Sequence, residues 1–171
     1  MANTYTAIAT VTVGSGGAAE IEFTSIPATY TDLCVLLSGR SVRSAVNDVL
    51  YMKFNGSTSG YSSKILEGNG ASASSYSGGS SAFSDILGIP AATSTANTFG
   101  NVAIYIPNYT SSNNKSISVD GVGENNATTA YADLYAGLWS NSSAITSIIL
   151  FNIISNFAQY STATLYGIKN S

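Results

Sequence analysis

Apolar and polar residues alternate with a period of two over most of the chain, the pattern of half-buried β-strands. Over residues 4–13, Tyr5, Ala7, Ala9, Val11 and Val13 fall on one side, and Thr4, Thr6, Thr10 and Thr12 on the other with Ile8 among them. Gly14-Ser15-Gly16-Gly17 supplies the freedom of a turn. Residues 18–25 alternate again, Ile21 and Phe23 against Glu20, Glu22 and Thr24, so the two runs predict a hairpin. Residues 32–40 form a continuous apolar run, which suits a central strand buried on both faces. A strand over 48–54 ends at the turn signal Asn55-Gly56, and a weaker one over 61–67 closes at Gly68-Asn69-Gly70. Residues 71–81 are Ser, Gly and Ala with one Tyr. With so little apolar surface to offset the entropy of ordering, they predict a long exposed loop.

Residues 83–89 fit a short strand or one helical turn equally well. Strands follow over 99–106, stopped by Pro107, and over 115–122. In 131–139 the residues Tyr131, Asp133, Tyr135, Gly137 and Trp139 share one face, and Ala132, Leu134, Ala136 and Leu138 the other. Runs over 145–154 and 161–168 complete the set, and no useful stretch carries a 3.6-residue stripe. About nine to ten short strands punctuated by Gly, Ser and Asn predict an all-β chain: one antiparallel β-sandwich domain over 1–171, jelly-roll-like. A single sheet could not hide both the 33–37 and the 145–154 runs. The dipeptide Ile-Pro recurs at Ile26-Pro27, Ile89-Pro90 and Ile106-Pro107. Proline has no N–H for a ladder, so each marks a strand end or an edge.

Composition narrows the chemistry. Only 9% of the 171 residues are charged and histidine is absent, against roughly 25% charged residues in an ordinary domain. Solubility therefore rests on neutral polar groups, and weak self-repulsion favours association. The net charge of −3 leaves no basic patch for nucleic acid. The longest apolar stretch, 148–151 with Ile153 and Ile154 behind it, falls far short of the roughly 20 residues that span a bilayer. The first residues show neither the basic nor the apolar region of a secretory signal. Cys34, the single cysteine, has no intrachain partner and reads as a small core residue.

Missing histidine rules out Ser-His-Asp and Cys-His machinery. A two-carboxylate glycosidase would draw on Asp120 with Glu124 or with Asp133, although nine scattered carboxylates always offer some pair. Asp120, Glu124, Asn125 and Asn126 gather oxygens that would suit Ca²⁺, but without the spacing of a calcium loop; a turn whose side chains bond the local backbone is the favoured reading. No metal or cofactor is expected. Tyr131, Tyr135 and Trp139 put flat rings on one strand face, suited to packing or a subunit interface and, as the alternative, to stacking against sugars. Arg40 and Arg43 near Asp48 suggest a local ion pair of small worth if exposed.

Two long segments, residues 23–33 (FTSIPATYTDL) and 160–168 (YSTATLYGI), together with IYIPNY at 104–109 and GLWS at 137–140, resemble small β-rich virion proteins of tailed bacteriophages. The resemblance runs over nearly the whole chain and carries no catalytic residues. It implies a jelly-roll or sandwich domain on the outer surface of the particle, often a homotrimer, contacting the major capsid protein as a decoration (cement) protein or serving in a fibre or tail. No coiled-coil heptads or collagen-like repeat precede the domain, and a fibre tip needs a tether, so decoration is the expected role. A receptor-binding module for cell-surface glycan is the alternative.

Overall fold

The computed structural model describes residues 4–126 and 129–169. They form β1 (Thr4–Thr12), β2 (Glu20–Phe23), β3 (Asp32–Gly39), β4 (Asn47–Phe54), β5 (Tyr61–Gly68), β6 (Ala73–Gly78), β7 (Gly88–Pro90), β8 (Gly100–Ile106), β9 (Lys115–Val122), β10 (Ala132–Trp139), β11 (Ile148–Asn152) and β12 (Thr162–Lys169). All pairings are antiparallel. An eight-stranded sheet runs β1-β12-β3-β8-β9-β10-β5-β6 and a four-stranded sheet β2-β11-β4-β7.

This order is a jelly roll. Leaving out β5, β6, β9 and β10, the first half of the chain pairs with the second in nested fashion: β1 with β12, β2 with β11, β3 with β8, β4 with β7. Successive strands alternate between the two sheets except at β4 and β7, which pair within the small sheet where the ribbon folds back, as in a rolled-up ribbon of two Greek keys. The omitted strands are two inserted hairpins, β5–β6 and β9–β10, which pair with each other and extend the large sheet beyond β8.

The core fills the space between the sheets, from Leu33, Val35 and Leu37 on one side to Leu50, Met52, Ile148 and Leu150 on the other, each at most 1% exposed. Beneath the inserted hairpins, where the small sheet has run out, the connection between β6 and β7 folds inward and buries Phe83, Ile86 and Leu87 completely. Phe83 settles the 83–89 ambiguity as extended chain, bridged to Met52.

Four expectations are corrected. Residues 4–13 and 18–25 do not form a hairpin: β1 pairs with β12 and β2 with β11, in different sheets. The turn at 14–17 crosses between layers, which strand pattern does not distinguish from a hairpin turn. Residues 71–81 are not a loop, because 73–78 is the edge strand β6, held by a backbone ladder to β5 that asks nothing of its small side chains. Residues 4–13 do not keep one alternation, since the register of β1 slips between Ala7 and Ala9: across this bulge Tyr5 and Ala7 share a face with Thr10 and Thr12, while Ile8 and Val11 pack against the core. The strand count is also higher than nine to ten, because β6 and the three-residue β7 carry almost no apolar signal.

Candidate functional site

The stripe on β10 points inward. Tyr135 is 3% and Trp139 1% exposed. Trp139 stacks against Tyr61 at 6.1 Å between centroids and meets Phe54 edge-on at 5.6 Å, while Phe83 meets Tyr61 and Tyr135 edge-on at 4.8 and 6.3 Å. Tyr131 is half-buried with its ring against Gly88. These residues pack the chain's own interior, and Tyr135 and Trp139 offer no ring to a sugar.

The Asp120 and Asp133 side chains do not share a face. Asp120 stands beside Leu134 and Asp133 beside Gly121, so Asp120 and Asp133 project from opposite faces of one sheet. Asp133 instead sits directly across from Glu67. Burial pushes its carboxyl up to about 7, helped by the charge of Glu67 and opposed by a hydrogen bond from the Gly88 N–H. In the 124–126 turn, Glu124 Oε1 accepts the Asn126 N–H at 2.6 Å and Asn125 Nδ2 donates to the Thr129 carbonyl at 2.9 Å, the local backbone bonding expected of such a turn. Among the described residues no three His, Cys, Asp or Glu groups are placed to hold a metal ion. Arg43 pairs with Asp48 at 3.5 Å. Arg40 does not join them: its guanidinium donates to the carbonyls of Ser94, Thr95 and Thr98 at 2.8–3.3 Å and ties that loop to the end of β3.

The notable surface is the outer face of the eight-stranded sheet. The register places Ser75, Leu66, Leu134, Asp120, Ala103, Leu36 and Thr164 in one row, and Ser77, Lys64, Ala136, Ser118, Tyr105, Cys34 and Tyr166 in the next. Tyr5, Leu36, Leu66, Tyr105, Val122, Leu134 and Leu138 all stand on this face, from 38% exposed for Tyr105 and Leu138 to 60% for Leu134. Between them lie Ala, Ser and Thr. A shallow depression of about 510 Å³ opens among Leu66, Val122, Ala132 and Leu134, with Glu67, Asp120 and Asp133 also on its lining. The charges here are few: Lys64, whose Nζ donates to Ser77 Oγ at 2.5 Å, Asp120, and Asp32, which is buried and accepts hydrogen bonds from the Tyr105 hydroxyl and the Asn108 N–H at 2.7 and 2.8 Å. The bond from Tyr105 to Asp32 raises the phenol to about 12. Cys34 is free and buried on this same face rather than in the core, its thiol pushed up by burial and by Asp120.

By contrast, the small sheet turns Glu20, Glu22 and Lys53 outward, with Lys53 Nζ 5.0 Å from the centre of the Phe151 ring. Isolated exposed apolar side chains are ordinary; a contiguous set on one flat face marks a contact surface. Leucines at 134 and 138, opposite in phase to the aromatic stripe, were the signal for it, because β10 is apolar in both phases and only one face is covered. The same holds for the 32–40 run, whose outer face leaves Leu36 open.

No protein-family model matches the chain, and no curated protein does.

Proposed function

We propose that this chain is a non-enzymatic structural protein of a phage virion, bound on the outside of the head as a decoration protein that reinforces contacts between major capsid subunits. The observation that supports it best is the wide, weakly charged, leucine-bearing face of the large sheet. Such a face associates through area and shape with little cost of desolvating charge, and weak single contacts repeated over a lattice become strong through avidity. The jelly roll itself is shared by capsid and lectin domains, so the argument rests on the surface and on the resemblance rather than on the fold. The glycan alternative loses the stacking rings of Tyr135 and Trp139 to the core.

Quantitative mass spectrometry of purified virions should find this chain in fixed proportion to the major capsid subunits and spread over the head. Particles stripped of it should release their genome at lower temperature. Unchanged melting would overturn the reinforcing role, and a chain confined to the tail would return the argument to receptor binding.

A further inference from the structure

We propose that the occupant of the outer face of the eight-stranded sheet is a second copy of this chain, the two sheets packing face to face about a two-fold axis that runs close to β10. The inference rests on reading this face as an assembly surface, and it names the partner.

Size is the first argument. Centred on β10, the overlap takes in β8, β9, β10, β5 and β6; strands about 4.8 Å apart, each presenting roughly 25 Å of length, then offer a face of the order of 600 Å² per copy. The two copies together bury about 1,200 Å², the lower end of specific stable interfaces, which suits a reversible pair. The apolar groups are concentrated where such a pair would centre. Leu66, Leu134, Leu138 and Val122 all lie on the inserted hairpins, which the eight-stranded roll does not need to close its core. Their inner faces are already covered by Phe83 and Leu87, so burial within the chain cannot account for leucines on the other side.

Charge is the second. The exposed charges on this face are one lysine and one aspartate, set on the strands that flank β10: Lys64 on β5 and Asp120 on β9. A two-fold axis along β10 exchanges those flanks and lays β5 of one copy over β9 of the other. Lys64 then stands over Ser118 of the second copy, one same-face position along the strand from Asp120 and within reach of a lysine side chain. The contact forms twice by symmetry, and like charges are kept apart. A face with one charge of each sign placed about a central strand is self-complementary, as an isologous contact requires. The small sheet, with Glu20, Glu22 and Lys53 outward, has no such balance.

The pair differs from the trimer that the virion resemblance implies, and sedimentation of the full chain over a range of concentrations separates them. The expected result is a reversible monomer–dimer equilibrium. Leu134→Asp should weaken it by roughly tenfold or more, with an unchanged far-UV spectrum and melting at a dilution where the parent is also monomeric. Lys64→Asp and Asp120→Lys should each weaken the dimer, and the double exchange should restore it. A chain that stays monomeric, a trimer, or a dimer indifferent to Leu134→Asp would overturn the pairing. Virion copy number is read separately, so a monomer that still decorates heads removes this inference and leaves the virion reading standing.

Discussion

Asp133 and Glu67 face each other across the β5–β10 ladder, an arrangement of like charges that a sheet normally avoids. Asp133 is 4% exposed and its Oδ1 has no partner among the described residues, so the neutral acid is the comfortable form. With the folded carboxyl near 7 and the unfolded one near 4, the folded chain holds a proton through that interval that the unfolded chain has lost. Stability is then greatest at the acid end and falls as pH rises through about 7. Asp133→Asn should flatten this dependence and raise stability at pH 8 by about 1–2 kcal/mol, read as the difference between parent and variant melting curves at pH 5 and pH 8. An equal slope in both would remove Asp133 as its source.

Gly137 makes a steric prediction at the same scale. A Cβ there would lie 2.7 Å from Ile117 Cγ1 and from the edge of the Phe83 ring. The cause is the close approach of the 79–87 segment beneath β10. Gly137→Ala should cost about 1–3 kcal/mol in chemical denaturation, while Trp139→Ala, which empties the aromatic cluster, should cost about 3–5 kcal/mol.

Among the elements, β6 and β3 stand at opposite ends of the range. β3 is flanked by β12 and β8 and contributes Leu33, Val35 and Leu37 to the core. β6 touches one neighbour, has no buried side chain and ends the sheet. Native-state hydrogen exchange should show β6 amides exchanging through local opening and β3 amides only on global unfolding; equal protection in the diluted monomer would contradict that ranking. The other edge is managed differently. β1 carries a bulge at Ile8, and bulges blunt edges against further pairing.

On the scale of the molecule, two hairpins inserted into a jelly roll change what the large sheet is for. An eight-stranded roll closes its core with four strands in each layer. Four further strands in one layer double its width, and the segment between β6 and β7 seals only their inner side. The open outer side follows from the topology. Its predicted consequence is that substitutions at Leu66, Leu134 and Leu138 change association far more than folding, whereas Leu33 and Leu150, equally apolar, should do the reverse.

Strand existence, the all-β class and two-layer packing were legible in the chain, because a period of two reports which residues share a face whatever the neighbours are. Proline and Asn-Gly signals placed several strand ends well, with Pro90 closing β7 and Ile106 closing β8 before Pro107. Tertiary structure alone decided which strands are neighbours, since the backbone groups that pair β1 with β12 are the same in every residue. It also decided that the Ser-rich 73–78 segment becomes an edge strand, for a ladder costs little where a partner is already laid down. Above all it decided which of two apolar faces is covered. Tyr135 and Leu134 are both apolar, adjacent and on one strand; only the arrangement of the layers buries the first and leaves the second exposed.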